Sequence, residues 1–246
     1  MWNGKKVSVI FPTYNEKASI RKAIEDFFNH NSYIDEIVVV NNNAAVGTSE
    51  EVAKTKAREV FENKQGYGYA IRRGFEECTG DIIIVSEPDG TFAGSDVFKL
   101  LAYADNCDVV FGTRTLSILI YEGANMGRFL KWGNYFVAKM IEFLFNTTSL
   151  TDVGCTMMLL HRQALDKIRR NLSVGGSYFG VQLKLLVIAH KLKFIEIPVS
   201  YHKRVGKSSV TGDKWKAFLL GLIMIAFILS YRVKSWRGPG LRARDE

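Results

Sequence analysis

Two carboxylates, Glu87 and Asp89, flank Pro88 directly after the apolar run Ile82–Val85. A run of that length and composition predicts a buried strand, and the Pro-Asp-Gly sequence after it predicts a tight turn. Carboxylates held one residue apart in a rigid turn can share a hard divalent cation, and Mg²⁺ or Mn²⁺ bound to a diphosphate needs only one or two of them. A solvated turn would use the same residues, so this segment alone does not identify a site.

Polar residues also follow two other apolar runs. The segment Phe11-Pro12-Thr13-Tyr14-Asn15-Glu16 ends the run that begins at Val7, and Asn41-Asn42-Asn43 follows Ile37–Val40. Amides at the end of a strand suggest hydrogen bonds to a polar ligand, although a simple turn has the same composition. The segment Gly66–Gly74 then opens a predicted helix, where glycines such as Gly68 allow close backbone approach and Arg72 suits a phosphate.

These polar segments need a sheet that brings them to one edge. Four short apolar runs predict buried strands, at Val7–Phe11, Ile37–Val40, Ile82–Val85 and Val109–Phe111. Helical patterns separate or follow them, at Ala18–Phe28, Val52–Phe61, Tyr69–Glu77 and Asp96–Ala104. This alternation predicts an α/β fold with a mainly parallel sheet and helices on both faces. Ligands of such sheets bind beyond the carboxyl ends of the strands, where these polar residues lie.

The second half of the chain completes one catalytic domain, which we place at residues 1–212. It contains helix candidates at Phe129–Phe145 and Phe179–Ala189 and strand candidates at Met157–Leu160 and Phe194–Val199. A chain of 246 residues, 47% hydrophobic, can bury one large core. The three cysteines form neither a CxxC pair nor a disulfide framework, which indicates buried thiols in a reducing compartment.

The remaining segment, residues 213–246, is basic and apolar. The stretch from Tyr201 to the end of the chain, which includes this segment, has ten Lys and Arg residues against three Asp and Glu, and thus carries +7 of the net charge of +8. Within it, Ala217–Leu229 is an apolar run about 20 Å long as a helix, shorter than the hydrocarbon core of about 30 Å. With Trp215 and Trp236 at its ends, it predicts a helix that lies in an anionic membrane surface without spanning it. A buried core helix is the alternative.

Taken together, these segments resemble glycosyltransferase family 2, the inverting GT-A type, and especially its dolichol-phosphate mannose synthase-like branch. The resemblance covers about Val7 to Arg232 and is strongest in FPTYNE, Gly68–Gly74, EPDG and FGTR. The stretches TDVGCTMMLLHRQAL and IPVSYHKRVGKSSV favour the polyprenyl-phosphate branch. The family implies a nucleotide-sugar donor and a divalent metal, Mg²⁺ or Mn²⁺. The branch implies a polyprenyl-phosphate acceptor.

The resemblance also implies roles for individual residues. The base and ribose pocket would take Pro12, Thr13, Tyr14, Glu16, Asn41 and Asn42, and the metal site would take Glu87, Asp89 and Thr91. Arg114 and Arg128 match arginines that hold an acceptor phosphate, and Asp152 matches an acidic residue near the acceptor. Arg204, Lys207 and Ser208 match a basic loop that closes on the diphosphate. A donor phosphate near Gly68 and Arg72, beside Pro88, completes the expected site.

Two positions depart from the family pattern. Glu87 replaces the usual aspartate and keeps its charge, which is compatible with metal binding. Asn41 and Asn42 replace the usual aspartate after the second strand, and an amide grips the two adjacent donors of guanine poorly. This favours a pyrimidine nucleotide.

The sequence predicts an enzyme on the cytoplasmic face of a membrane, peripheral or monotopic, because no signal-peptide core precedes Pro12. It is compatible with a homo-oligomer. Three alternatives stay open: a family 2 enzyme with a non-lipid acceptor, which would need Asp152 as general base; a non-catalytic nucleotide-sugar-binding module at a membrane; and a nucleic-acid protein. The last is disfavoured because the basic residues flank an apolar run and do not interleave with stacking aromatics.

Overall fold

The computed structural model describes residues 1–30, 32–124, 127–206 and 214–236. Its seven strands are β1 Val7–Thr13, β2 Glu36–Asn41, β3 Arg58–Phe61, β4 Ile82–Val85, β5 Val109–Thr113, β6 Met158–His161 and β7 Phe194–Pro198. They form one sheet in the order β3-β2-β1-β4-β6-β5-β7. Every pairing is parallel except those of β6, which runs antiparallel to both β4 and β5. The predicted mainly parallel sheet is confirmed.

Eight α-helices connect and cover these strands in the described part of the chain. They are α1 Ile20–His30, α2 Thr48–Ala53, α3 Tyr67–Glu77, α4 Asp96–Leu101, α5 Arg128–Phe145, α6 Arg162–Ile168, α7 Phe179–Ala189 and α8 Lys214–Trp236. Alternate residues of the strands belong to two separate apolar cores, one on each face of the sheet. The central strands are therefore buried on both sides, which explains their uninterrupted apolar sequences.

The helix predicted over Val52–Phe61 is wrong beyond its first two residues. Helix α2 ends at Ala53, and Arg58–Phe61 forms the edge strand β3 beside β2. The hydroxyl of Thr55 donates to the carbonyl of Val52 and accepts from the amide of Ala57. Such local bonds compete with helical ones and turn the chain. Helix α6 was not predicted from the sequence.

Helix α8 is longer than the predicted apolar run of the membrane segment. It has 23 residues, and Trp215–Lys234 is long and apolar enough to cross a membrane by length and composition. The thirteen-residue apolar run therefore underestimated its reach. One face packs on the domain, since Ile228 and Tyr231 are buried and belong to the core that includes residues of α5 and α7. The opposite face exposes apolar side chains, including Leu219, Leu222 and Ile223.

Candidate active site

The carboxyl ends of β1, β2 and β4 meet at one edge of the sheet because the three strands are parallel. Thr13 pairs with Asn41, and Ile10 pairs with Val85. The polar residues that follow these strands line a cavity of about 570 Å³. Of the predicted site residues, those in its wall are Pro12, Thr13, Tyr14, Glu16, Asn42, Glu87, Pro88, Arg114 and Arg204.

Arg204 joins three carboxylates at the polar end of this cavity. Its Nη2 lies 3.0 Å from Oδ2 of Asp89 and 3.3 Å from Oε1 of Glu16, and its Nη1 lies 3.7 Å from Oε2 of Glu87. Backbone bonds hold it there: the amide of His202 donates to the carbonyl of Thr91, and that of Val205 donates to the carbonyl of Asp89. The structure thus brings the predicted metal carboxylates and the predicted diphosphate arginine into one cluster.

The carboxylate pair fits a divalent cation. Oδ1 of Asp89 accepts bonds from the amide and the hydroxyl of Thr91, at 2.9 and 2.5 Å, whereas the buried Oδ2 accepts no hydrogen bond of good geometry. Burial, followed by the charge of Asp89, raises the pKa of Glu87 to about 8. A cation shared with a diphosphate would satisfy both groups with two protein ligands. The described residues contain no group of three or more His, Cys, Asp or Glu side chains that could hold a metal.

Thr91 differs from its predicted place as a metal ligand. It is buried outside the cavity wall, and its hydroxyl is committed to Asp89. Its geometry fits a residue that orients the Asp89 carboxylate from behind.

We expect Glu87 to make the protein less stable at higher pH when no metal is supplied. Its folded-state pKa of about 8 lies above the ordinary value of 4.5, so between these values the native state keeps a proton that the unfolded chain releases. Stability then falls as pH rises through this window. The Tm of wild-type protein in EDTA should fall from pH 5 to pH 8. The Tm of Glu87→Gln should fall clearly less over the same range. Parallel curves would contradict this assignment.

The side-chain amides of Asn41 and Asn42 are hydrogen-bonded to protein loops, and Asn42 also lines the cavity. The amide nitrogen of Asn42 donates to the carbonyls of Glu62 and Lys64, and its oxygen accepts from Gln65 and from the amide of Gly66. Both donors of Asn41 are also used, by Ser49 and Glu59. The preference for a pyrimidine base, which was based on these amides, stays a prediction.

Gly68 and Arg72 also lie apart from the cavity wall. A Cβ atom at Gly68 would stand 2.3 Å from the carbonyl oxygen of Val174. Close packing of α3 on the loop that contains Val174 is therefore enough to explain the glycine, and its predicted contact with a phosphate stays a prediction.

Arg114 is fixed by a buried bidentate pair with Asp152. Its Nε lies 2.8 Å from Oδ2, its Nη2 lies 3.0 Å from Oδ1, and its own amide also donates to Oδ2. Although burial opposes ionisation, the charge and bonds of Arg114 hold the pKa of Asp152 below its usual value. With both oxygens occupied and no exposed surface, Asp152 is not available as a general base.

Three predicted site residues lie outside what the structure describes. Lys207 and Ser208 fall in the undescribed segment 207–213, which also contains the expected boundary of the catalytic domain. Arg128 is the first residue of α5, and its side chain is not described.

The other half of the cavity was not predicted. It is an apolar groove between α5 and α8, formed by Phe129, Leu130, Gly133, Phe136, Val137, Ala217, Phe218, Leu220, Gly221, Leu222, Met224 and Ile225. Further aromatic side chains of α5 are exposed beside it, with Trp132 at 65% and Phe143 at 86% exposure. The aromatic richness of both helices was visible in the sequence, but nothing there indicated that they face each other.

The chain is similar to known proteins over most of its length. The family model described as Glycosyl transferase family 2 matches residues 8–169. The chain is 26% identical to a dolichyl-phosphate beta-glucosyltransferase of Saccharomyces cerevisiae, over 91% of this chain and 75% of the relative. It is also 26% identical to a dolichyl-phosphate hexose transferase of Haloferax volcanii, over 83% and 86% of the two chains. A dolichol-phosphate mannosyltransferase of Pyrococcus furiosus is 24% identical, over 95% and 65%.

The solved structures support the fold. Glucosyl-3-phosphoglycerate synthase of Mycobacterium tuberculosis, in complex with Mn²⁺, UDP and glucosyl-3-phosphoglycerate, superposes with a TM-score of 0.73 at 17% identity. The match covers 93% of this chain and 80% of that one. At this identity the likeness establishes the shared architecture alone.

Proposed function

Since the chain belongs to glycosyltransferase family 2 and is a glycosyltransferase, we propose that it transfers a hexose, with inversion, from a nucleotide-sugar to a polyprenyl or dolichyl phosphate. One observation carries the proposal: a single cavity joins the carboxylate and arginine cluster to the apolar groove between α5 and α8. A nucleoside diphosphate fits the first end. An isoprenoid chain fits the second.

Arg114 lies between these two ends. Its side chain is 11% exposed and lines the cavity. Its guanidinium carbon, Cζ, lies 5.1 Å from the centroid of the Tyr201 ring. A guanidinium held this rigidly is suited to the phosphate of the acceptor. The named relatives act on dolichyl phosphates, and the same acceptor class here would place its phosphate at Arg114 with its chain in the groove.

Transfer to a phosphate acceptor does not need a strong general base. A phosphate monoester is largely ionised at neutral pH because its second pKa is about 6. It needs a position close to the anomeric carbon, which Arg114 supplies. The buried Asp152 pair is therefore compatible with this acceptor, and it disfavours an acceptor hydroxyl that would have to be deprotonated.

Glu87 and Asp89 would hold Mg²⁺ or Mn²⁺, which would offset the charge on the leaving diphosphate. Arg204 lies 3.0 Å from Asp89 and can serve the same diphosphate once a cation takes its place among the carboxylates. We propose a membrane location on the cytoplasmic face, with α8 as its membrane element and anionic lipid as its partner surface.

The test is transfer of labelled hexose from UDP-glucose or GDP-mannose, with Mn²⁺, by the full chain in detergent. Undecaprenyl or dolichyl phosphate should become labelled. 3-Phosphoglycerate and neutral dolichol, as soluble and uncharged acceptors, should not. Labelling of 3-phosphoglycerate alone would overturn the lipid acceptor, and nucleotide binding without any transfer would favour a non-catalytic module.

Gly133 and Gly221 give a sharper prediction for the groove. Both line it from helix interiors, and a Cβ at either position would meet nothing within 4 Å. Glycine inside a helix costs about 0.5–1 kcal/mol relative to alanine. Leucine there should fill the groove, keep or raise Tm, and lower transfer to undecaprenyl phosphate about 10-fold or more at unchanged donor affinity.

Gly127→Leu is the matched control. Gly127 precedes α5 with a φ of −61°, has equally open space and is outside the cavity wall. It should leave lipid transfer unchanged. Wild-type kinetics in Gly133→Leu and Gly221→Leu would show that the lipid chain does not enter the groove.

A further inference from the structure

Tyr67 and Thr156 line the cavity but belong neither to the carboxylate cluster nor to the Arg114–Asp152 pair. The hydroxyl oxygen of each is buried and makes no hydrogen bond of good geometry within the described part of the chain, although the two hydroxyls lie close enough to interact with each other. Buried hydroxyls are paired in the large majority of cases, and each exception calls for a physical explanation. Two exceptions in the wall of one cavity point to a ligand that supplies the missing partners.

The fold places both residues beside Glu87. Strand β6 runs antiparallel to β4 with Met158 opposite Val85, so Thr156, before β6, lies near the residues that follow β4. Tyr67 begins α3 between Gly66 and Gly68. Those glycines let the helix start pack on the backbone of residues 174 and 175, since a Cβ on either would lie 2.3 Å from a carbonyl oxygen there.

This part of the wall lies where a transferred sugar must pass. Glu87, in the cluster proposed to face the diphosphate, and Arg114, proposed to hold the acceptor phosphate, line the same cavity as Tyr67 and Thr156. Thr156 follows Gly154 by two residues, and a Cβ at Gly154 would be 3.0 Å from Nη2 of Arg114. In the transfer, the anomeric carbon lies between the leaving diphosphate and the attacking phosphate, so on the proposed function the sugar ring occupies the space between Glu87 and Arg114.

We propose that the hydroxyls of Tyr67 and Thr156 form the subsite that binds hydroxyl groups of the donor hexose. The inference rests on the proposed function for the donor class and adds the residues that recognise its sugar. A hydroxyl can donate and accept, which matches the hydroxyls of a neutral hexose. Sites built to bond a substrate hydroxyl discriminate strongly against ligands that lack it. The two residues therefore distinguish a nucleotide-sugar from the bare nucleotide.

The experiment compares affinities by calorimetry in the full-length protein with Mn²⁺. The probes are two pairs, UDP with UDP-glucose and GDP with GDP-mannose. Tyr67→Phe and Thr156→Val should each weaken the nucleotide-sugar that wild type prefers by about 5- to 20-fold and leave its bare nucleotide unchanged. Tm without ligand should stay close to that of wild type, because neither hydroxyl makes a hydrogen bond of good geometry in the unliganded protein. Tyr69→Phe, on the same helix but outside the cavity wall, is the matched control.

The subsite would be overturned if the variants weakened nucleotide and nucleotide-sugar equally, or weakened neither. It would also be overturned if wild-type protein bound the nucleotide and the nucleotide-sugar of each pair with equal affinity. A drop in Tm parallel to the loss of affinity would also overturn it, since that is the result of a structural role. Failure of the proposed function is separate: it appears as absent transfer to polyprenyl phosphate, whereas these affinities are measured without an acceptor.

Discussion

We expect Asp89→Asn to lose sugar transfer by about 10³-fold or more while the domain stays folded. Asp89 is fully buried, and Thr91 fixes its Oδ1, which leaves Oδ2 directed at the cluster that would hold the cation and the diphosphate. Asparagine keeps the shape and can keep the Thr91 bonds, but it removes the charge. Arg204 retains Glu16 and Glu87 as partners.

Initial rates at saturating Mn²⁺, together with Tm, check this expectation. Asp166→Asn is the control, because Asp166 is a half-exposed residue of α6 whose ion pair, among the described residues, is with a neighbour on the surface. It should behave as wild type. If turnover by Asp89→Asn approached the wild-type rate as Mn²⁺ was increased, the assignment of Asp89 to the metal site would be wrong.

The position of the site was predictable because it follows from strand direction. Ile82–Val85 and Val7–Phe11 are apolar runs whose polar ends had to meet at one edge once the sheet was parallel. The place of Arg204 was not predictable in this way. It depends on backbone bonds from residues 202 and 205 to residues 91 and 89, and only the family resemblance suggested that pairing.

Other features failed because short-range patterns do not encode their partners. Arg58–Phe61 is an edge strand with two charged residues among its four, so it lacks the apolar signature of the central strands. Asn42 lies at the predicted edge, yet its four hydrogen bonds go to residues 62–66. Its residue type is equally suited to a ligand and to a loop, and only the three-dimensional arrangement decides between them.

The pair of Arg114 and Asp152 changes what a mutation at Arg114 means. Removing the arginine would leave a fully buried carboxylate without its partner, which typically costs about 3–5 kcal/mol. We therefore expect Arg114→Ala to lower the free energy of unfolding by about that amount, in addition to its effect on the acceptor. Its kinetics alone could not separate a catalytic from a structural role.

The double variant Arg114→Met, Asp152→Asn separates the two effects. It removes both charges, so we expect it to recover about half or more of the stability lost in Arg114→Ala, as measured by urea unfolding. Transfer to undecaprenyl phosphate should stay reduced by about 10²-fold or more through loss of the phosphate contact, with donor affinity near wild type. Recovery of both stability and transfer in the double variant would show that Arg114 serves the fold alone, and a selective loss of donor affinity would assign it to the diphosphate.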